Sequence, residues 1–575
     1  MPAWPVPDGT SGGLTLIRTN LVAAREDPRE CPWARSTKAR PLLRVDPKLA
    51  YVVKQLQDFA LAPLMDALDR IEYGRCAPKD VVSQLWSTQG TFGISGRPRA
   101  HEGLLGWTVA AISHYLGARE ADQRSRLIAG LAPTFPVEDT WVFRHELARL
   151  DSRGANAYEE TAWGRRYVAL DGSVRDLWLI SFGSTKTDRP ASEKAAAAHV
   201  ALYGAPSDGG GAGHYRYVEP DRLHPGRTAV PSRVRVLDVG CGDGSLASLV
   251  DWDREEVDHH FVLDARPALA RVVDDAETRP GSSCVECKAL AGCSALVRTP
   301  HLLSIGSALP KVRSRRSVSV ADLRTYADCP AKCHVTRQLK LKSSRPENAS
   351  IRRGRAVDAW LNDRHLARPP GGCRSLPGPV DSASWSAGDI ALSGDEAEQG
   401  ARMLVQHQAV CPLDGLDSGE QVLVQHQVTC YDPHLDLVFI ATPDLLHTRA
   451  GGWTWRETKT SSSRLYEGEP LLRRYPQLAL AVLMLDAGVL GGDLSRSLVE
   501  FELLNTDDSD LEVLDPSRVR VVSEARDVLN EIATPWIRDA AFEPNPGRNC
   551  QDCEALDWCV PGQQHLAASI KPKDR

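Results

Sequence analysis

The sequence predicts an α/β protein made of two similar halves in tandem. A cysteine-rich segment occurs twice, as PGSSCVECKALAGC and as PGRNCQDCEALDWC. Other short motifs precede the two copies in the same order. Short runs of alternating apolar residues bounded by turn residues have the pattern of β-strands, and other segments have that of helices. The repeat is interpreted before any single motif, because a missed duplication misassigns the whole fold.

The repeat extends upstream of the cysteine segments. VRVLDVG (234–240) matches VEFELLN (499–505), STKT (184–187) matches ETKT (457–460), and ECPW (30–33) matches DCPA (328–331). The three pairs of motifs therefore occur in the same order in both halves.

The matched motifs set the expected domain boundaries. We predict a first domain over residues 1–305, a polar and basic linker over 306–316, and a second domain over 317–575. Two segments rich in Gly, Pro and Ser, residues 207–214 and 368–389, are expected to be surface insertions within the halves.

Composition limits the protein class. The 575 residues are 42% hydrophobic and 25% charged, which suits two or more packed cores. No apolar run reaches the roughly 18 residues of a membrane helix, and the N-terminus lacks signal-peptide order. We therefore expect a cytoplasmic protein without membrane contact. The formal charge of −6 argues against general nucleic-acid coating but leaves room for a local basic channel. Candidates are residues 311–316 and 350–355, for which a solvated linker and a helix start are equally good interpretations.

The stretch VLDVGCGDGS (236–245) has two interpretations. A strand, an acid and a Gly-rich turn can cradle a nucleotide-like cofactor, as in a methyltransferase. The repeat instead places a plain strand, FELLN, at the same position of the second half. We therefore predict a strand followed by a tight Gly turn, since a binding loop is not optional within its own fold.

Residues 421–460 predict a meander of strands that carries acidic motifs. TPD contributes Asp444, and ETK contributes Glu457 and Lys459. Residues two apart in a strand face the same side, so Glu457 and Lys459 project together. Asp444 and Glu457, with the carbonyl of Thr458, can hold Mg²⁺ through oxygen ligands, and Lys459 can orient or activate an attacking water. The alternative is a surface strand with an ordinary Glu and Lys pair.

The second half resembles the RecB-like nuclease domain of the PD-(D/E)XK superfamily, as in AddB and the CRISPR-adaptation nucleases. The opening helix and cysteine of SVSVADLRTYADCPAKCHV (317–335), then TPD and ETK, follow in family order. GRAVDAWL (354–361) lies where the family has Gly-x-x-x-His, so Asp358 replaces the histidine. RRYPQLALAVLML (473–485) resembles the helix with Gln-x-x-x-Tyr, where Gln477 is present and Ala481 replaces the tyrosine.

The resemblance implies the fold and the site. Each half is expected to be a restriction-endonuclease-like PD-(D/E)XK domain, with a central mixed sheet flanked by helices and closed by a four-cysteine cluster. The resemblance implies catalytic roles for Asp358, Asp444, Glu457, Lys459 and Gln477. The implied ligands of Mg²⁺ or Mn²⁺ are Asp358, Asp444, Glu457 and Thr458.

The cysteines follow a one-plus-three pattern like that of family members with a 4Fe-4S cluster. In the second half the implied ligands are Cys329, Cys550, Cys553 and Cys559, with Cys333 as a competitor of Cys329. Zinc is the alternative, because four thiolates also suit a closed tetrahedral site, and unrelated core cysteines are a third interpretation. The first half repeats the spacing, which predicts a second cluster at Cys31, Cys284, Cys287 and Cys293.

The first half is predicted to be a degenerate copy of the nuclease. Lys186 aligns with Lys459, but Ser184 replaces Glu457. Asp171 precedes Ser184 by thirteen residues, as Asp444 precedes Glu457, but its setting LDGS is equally typical of a turn. His101 lies near the position that corresponds to Asp358, but a lone histidine on an amphipathic helix is more often structural than a ligand. Glu193 takes the position of Gln477 and is expected to repel phosphate.

These inferences converge on a metal-dependent DNA nuclease with an inactive N-terminal half that serves architecture or DNA holding. The rival is a catalytically dead iron-sulfur DNA-binding scaffold that partners a helicase. No Gly-x-x-x-x-Gly-Lys-Ser/Thr loop occurs, so a separate helicase, or another repair or defence protein, would supply any DNA unwinding.

Overall fold

The computed structural model describes residues 4–45 except 26 and 28, 56–87, 99–207, 230–306, 315–375 except 342 and 344–346, and 378–570 except 467. Most of the predicted linker, including most of the basic stretch 311–316, and most of the predicted insertion 207–214 lie outside the described residues.

The first part of the chain contains both strands and helices. Its strands are β1 (Thr10–Ser11), β2 (Leu16–Asn20), β3 (Arg44–Val45), β4 (Thr134–Pro136), β5 (Thr140–Glu146), β6 (Ala157–Thr161), β7 (Arg165–Ala169), β8 (Val174–Ser181), β9 (Ala205–Ser207), β10 (Arg233–Gly240), β11 (Leu246–Asp253) and β12 (Val297–Arg298). Its helices are α1 (Pro32–Lys38), α2 (Ala62–Glu72), α3 (Pro78–Ser87), α4 (Glu102–Ile128), α5 (Ala191–Tyr203), α6 (Arg254–His260) and α7 (Arg266–Asp274).

The second part has a similar succession. Its strands are β13 (Arg316–Val318), β14 (Ser384–Ala387), β15 (Ile390–Ser393), β16 (Val422–Val424), β17 (Val428–Asp432), β18 (Leu437–Ala441), β19 (Leu445–Arg449), β20 (Gly452–Thr460), β21 (Leu498–Leu504) and β22 (Ser509–Leu514). Its helices are α8 (Val320–Asp328), α9 (Pro330–Lys332), α10 (Ala349–Ala367), α11 (Asp395–Val410), α12 (Leu471–Arg474), α13 (Pro476–Asp486), α14 (Val519–Arg538) and α15 (Val560–Ile570).

Two five-stranded mixed sheets have the same topology. Sheet A has the order β4-β7-β8-β10-β11, and sheet B has the order β16-β19-β20-β21-β22. In sheet A, β8 and β10 are parallel and the other pairs are antiparallel. In sheet B, β20 and β21 are parallel and the other pairs are antiparallel. The predicted α/β class, with mixed sheets flanked by helices, is confirmed.

A buried helix lies on the crossover of each parallel pair. Parallel neighbours need such a crossover connection because a tight turn cannot join them. Helix α5 lies between β8 and β10, and α13 lies between β20 and β21. Residues 195–202 of α5 and residues 478–485 of α13 are all buried, as expected of helices enclosed by other elements. Helix α13 packs on α14 in the core of sheet B.

Each half also has a smaller sheet. The orders are β2-β6-β5-β9 and β13-β18-β17-β12. In each, an early strand of the half, β2 or β13, pairs in parallel with the second strand of a hairpin. Residues 297–305 were assigned to the first half by the repeat, but β12 pairs with β17 and Leu302, Leu303 and Ile305 lie in the core of the second half.

The segment 368–389 is only partly a surface insertion, which corrects the expectation from its composition. Strand β14 forms a hairpin with β15, and Trp385 of β14 is 9% exposed. The Trp385 Nε1 donates a hydrogen bond to the carbonyl of Ala397 at 2.8 Å. The indole packs in one cluster with residues of α10 and α11, so the hydrophobic gain of burying it orders this part of the segment.

The Gly-rich stretch after β10 is a hairpin turn, as predicted. Strands β10 and β11 are antiparallel, and Gly244, at φ 76°, lies in the turn between them. A strand follows this turn, whereas a cofactor loop of the methyltransferase kind opens a helix. Among the described residues, no helix is both long and apolar enough to cross a membrane.

Candidate active site and cysteine clusters

The β19–β20 hairpin positions two acids and a lysine at one end of sheet B. Asp444 immediately precedes β19, and Glu457 and Lys459 share one face of β20. The Thr458 backbone N–H donates to Asp444 Oδ2 at 2.7 Å. Lys459 Nζ lies 3.3 Å from Asp444 Oδ2 and 3.5 Å from Glu457 Oε2, so the ammonium lies between the two carboxylates.

Helix α10 brings Asp358 to the same group. A Cβ at Gly354 would lie 2.9 Å from Thr460 Oγ1, closer than real Cβ contacts, so the glycine allows this helix to approach the end of β20. The Asp358 Oδ2 accepts a hydrogen bond from Asn362 Nδ2 at 3.2 Å. The glycine at position 354 thus has a steric reason in this chain.

Gln425 joins the site, although the sequence did not indicate it. Its Nε2 donates to Asp444 Oδ1 at 3.1 Å and lies 3.3 and 3.4 Å from the Asp358 oxygens. Its backbone has φ 48°, a left-handed conformation uncommon for a non-glycine residue. An amide donor thus lies between two carboxylates, where positive charge is favoured.

Burial and the closeness of the three carboxylates disfavour negative charge on Glu457 and Asp358. Burial, with the neighbouring charge of Asp444, raises the pKa of Glu457 to about 7 and that of Asp358 to about 6. Burial alone would lower the pKa of Lys459, but Asp444 and Glu457 raise it above its ordinary value. Lys459 therefore stays protonated and is suited to orient a water or phosphate, not to remove a proton.

These donors fit a hard divalent cation, which prefers carboxylate and carbonyl oxygens. The carbonyl of Thr458 accepts a hydrogen bond from Lys459 Nζ at 2.9 Å, so it must exchange that bond before it binds a cation.

Gln477 lies apart from this hydrogen-bonded group. It occupies the second position of α13 and is half-buried. In the described part of the chain, no hydrogen bond joins its side chain to the acidic residues. Ala481, at the position of the family tyrosine, is fully buried, so that position has no side chain able to reach a substrate.

The four predicted cysteines of the second half come together around a pocket. Cys329, Cys550, Cys553 and Cys559 all line it. The Asn545 N–H donates to Cys329 Sγ and the Gly547 N–H donates to Cys550 Sγ, both at 3.4 Å. Cys333 instead points its sulfur at the carbonyl of Asp322. The structure thus groups Cys329, and not Cys333, with the late trio.

The first half repeats this arrangement with its own cysteines. The Arg279 N–H donates to Cys31 Sγ at 3.3 Å, and the Gly281 N–H donates to Cys284 Sγ at 3.4 Å. Cys31, Cys284 and Cys287 lie in one buried cluster, and Cys293 packs against it. Both tetrads therefore receive two main-chain N–H···S hydrogen bonds from equivalent positions.

The structure does not reproduce the alignment of Ser184 and Lys186 with the residues of β20. Strand β8 ends at Ser181, and both residues lie in the loop that follows it. The backbone N–H of Lys186 donates to Asp238 Oδ1 at 3.3 Å. Asp171 lies in the exposed turn between β7 and β8 and accepts hydrogen bonds from Ser173, which agrees with its interpretation as a turn residue.

Arginines neutralise two buried acids of the first half, Asp238 and Glu193. Arg189 contacts Asp238 and Glu193 at 2.5 Å each, and Arg25 reaches Glu193 at 2.6 Å. Glu193 is 1% exposed. The expectation that it repels phosphate is therefore wrong, since its charge is buried and paired. His101 is structural, as expected, because its Nδ1 caps α4 and its Nε2 bonds the carbonyl of Phe542.

An Arg189→Met substitution is expected to lower the free energy of unfolding by about 3–5 kcal/mol, because it leaves Asp238 buried without its cation. Chemical denaturation followed by circular dichroism measures this loss. Arg233→Met is the control, since Arg233 pairs with Asp251 at the surface and such pairs contribute at most about 1 kcal/mol. Equal losses in the two variants would contradict the buried network.

Residues 317–560 match the family described as the PD-(D/E)XK nuclease superfamily. The C-terminal region therefore has the PD-(D/E)XK fold, and nucleases of this superfamily use divalent metals. The match includes Asp358, Asp444, Glu457 and Lys459 and the late cysteines. No curated protein matches the chain.

Proposed function

We propose that the protein is a metal-dependent DNA nuclease whose active site consists of Asp358, Asp444, Glu457 and Lys459. The observation that carries the proposal is the convergence of these side chains, from α10 and the β19–β20 hairpin, inside the family match. Clustered acids with raised pKa values mark sites where charge is arranged for chemistry.

The chain's own residues divide the work. Asp444 and Glu457, with the Thr458 carbonyl and Asp358, would hold Mg²⁺ or Mn²⁺. A bound cation supplies Lewis-acid stabilisation of charge on the scissile phosphate. Lys459, 41% exposed and protonated, can donate to a phosphate oxygen or orient the attacking water. Gln477 stays a candidate for contact with the nucleic-acid strand.

DNA is the proposed substrate. Helix α10 carries exposed Arg352 and Arg355 one or two turns before Asp358. Both arginines have acidic partners, Glu396 and Glu347, in the free protein. Phosphates can replace such exposed partners, because surface ion pairs are weak. A partner that unwinds DNA, such as a separate helicase, remains part of this proposal.

We infer that the first half is an inactive copy of the same domain. The shared strand order of sheets A and B and the matching N–H···S bonds support this origin. Asp238, near the end of β10, is not a free carboxylate, because it pairs with Arg189. The half would serve architecture or DNA holding.

Each cysteine tetrad is proposed to hold a 4Fe-4S cluster. A four-iron cluster binds each of four thiolates through a different iron, and the two N–H···S bonds that each tetrad receives are the kind that tune such clusters. Zinc is the alternative, because four thiolates also suit a closed tetrahedral site.

The deciding experiment incubates anaerobically purified protein with end-labelled single- and double-stranded DNA, with and without Mg²⁺ or Mn²⁺. Cleavage is expected only with the metal. Tight DNA binding without cleavage under every condition would favour the rival, a dead iron-sulfur scaffold. Labelled RNA in the same assay tests the choice of DNA.

Lys186→Ala is expected to leave the metal-dependent cleavage rate unchanged, because Lys186 lies in the loop beyond β8 and not at the strand position that Lys459 has on β20. The rate is compared with wild type in the same end-label assay. The comparison is repeated in a Glu457→Gln background. Residual activity there that vanishes only when Lys186 is also changed would reveal a second working site in the first half.

A further inference from the structure

Four metal-binding side chains converge away from the candidate active site. They are His365 in the last turn of α10, Cys373 in the single helical turn Gly372–Ser375, His407 in the last turn of α11, and Cys411 just after α11. All four are buried, and their ligand atoms lie within 4.8 Å of one another. In the part of the chain that the structure describes, no other His, Cys, Asp or Glu group meets this criterion.

We propose that His365, Cys373, His407 and Cys411 bind a structural zinc ion in a closed site of two thiolates and two imidazoles. The Nε2 atoms of His365 and His407 are 3.2 Å apart. Two imidazoles on one tetrahedral zinc, with Zn–N bonds of about 2.0–2.1 Å, hold their nitrogens roughly 3.3 Å apart. Two nitrogens and two thiolates in tetrahedral array are the donors of structural zinc.

The carboxylate of Glu502 orients His407 through the ring nitrogen that does not face His365. His407 Nδ1 lies 2.7 Å from Glu502 Oε1, and Glu502 is fully buried on β21. A neutral His407 that donates from Nδ1 has its lone pair on Nε2, the atom that faces His365. Metal-binding histidines characteristically pair their second nitrogen with such a carboxylate, which fixes the tautomer and the ring. Arg456 and Thr458 hold Glu502 in turn.

Charge and hydrogen bonding also suit zinc. Two thiolates and one Zn²⁺ sum to zero, so a buried site carries no net charge that water must solvate. The thiols release their protons on binding. The backbone N–H of Cys373 donates to Cys411 Sγ at 3.4 Å, which stabilises negative charge on that sulfur.

The position of the site indicates a role in holding the catalytic half together. His365 follows Asp358 by two helical turns, so both lie on one side of α10. The four residues join the C-terminal ends of α10 and α11, and Glu502 links them to β21, next to Thr458 of β20. Zinc would thus fix the helix that carries Asp358 against the sheet that carries Glu457. The zinc proposal stands independently of the nuclease proposal.

Metal analysis of untagged full-length protein, purified without added zinc, tests the proposal. Wild type should contain about one zinc per chain more than Cys411→Ser or His365→Gln, with iron content equal in all three. Cys430→Ser is the matched control, because Cys430 is a buried cysteine on β17 outside the group, and it should keep the zinc.

If the variants do not fold, zinc-edge X-ray absorption of the wild type identifies the ligand atoms of zinc and their distances. Two sulfurs at about 2.3 Å and two nitrogens at about 2.0–2.1 Å are expected. Equal zinc in wild type and folded Cys411→Ser, or a sulfur-only zinc shell, would overturn the site. Peptide mapping that finds a Cys373–Cys411 disulfide in the purified protein would also overturn it.

Discussion

A Glu457→Gln variant is expected to lose metal-dependent cleavage by more than about 100-fold. Groups that only orient metal ligands already cost about 10–100-fold when they are removed, and Glu457 is a proposed ligand itself. The amide keeps the size of the side chain and can still bond Trp455 Nε1, which lies 3.1 Å from Glu457 Oε1. The loss should therefore be chemical and not steric. Initial rates at saturating Mn²⁺ and Mg²⁺ measure it.

Stability separates a catalytic from a structural role for Glu457. The side chain is buried, and that burial is the main cause of its raised pKa. The ionised carboxylate therefore lowers the free energy of unfolding, whereas the neutral amide of Gln carries no such penalty. Thermal unfolding of Glu457→Gln should occur at or above the wild-type temperature. Glu512→Gln, on the exposed face of the edge strand β22, is the control and should change neither property. Full activity of Glu457→Gln would contradict the assignment of the active site to these residues.

Much of the fold could be predicted from order and spacing in the sequence. The pairing of VRVLDVG with VEFELLN placed β10 and β21 at equivalent positions of their sheets. The turn after Gly240 was correctly separated from a cofactor loop because its counterpart lacks glycines. Periodicity predicts strands because it reports which face is buried. The missed hairpin at Trp385 shows that composition alone does not distinguish a surface loop from one that packs through a single aromatic.

The candidate site was predictable where short motifs fix side-chain direction. Glu457 and Lys459 share a face because the strand period is two, and their contacts follow from that. Long-range partners were not predictable. Glu193 meets Arg25 across 168 residues of sequence, and Gln425 reaches its carboxylates through a left-handed backbone that no local motif signals. The group of His365, Cys373, His407 and Cys411 was missed for the same reason, since its spacing is irregular and part of it lies in a segment interpreted as an insertion.

A Cys553→Ser variant is expected to lose one of the two proposed clusters and much of its stability. Cys553 is 9% exposed and packs in the same hydrophobic cluster as Leu104 and Trp107 of α4. The carbonyl of Trp558 approaches the same helix at Gly106, where a Cβ would lie 3.2 Å from it. The tetrad therefore ties the chain's late cysteines both to Cys329 and to the first half. Loss of a native crosslink typically costs about 2–5 kcal/mol, and metal-binding free energy contributes to folding in the same way.

Iron analysis, colour and thermal unfolding of anaerobic protein measure this effect. Wild type should be brown, and Cys553→Ser should retain about half its iron, because the tetrad of Cys31, Cys284, Cys287 and Cys293 remains. Cys333→Ser is the control, since Cys333 is fully buried near Cys329 in sequence but faces Asp322, and it should keep all its iron. Colourless wild type in which Cys553→Ser lowers zinc content would assign zinc to the tetrad. Iron loss in Cys333→Ser instead of Cys553→Ser would show that the tetrad has been assigned to the wrong cysteines, because only a ligand thiolate is required to hold the cluster.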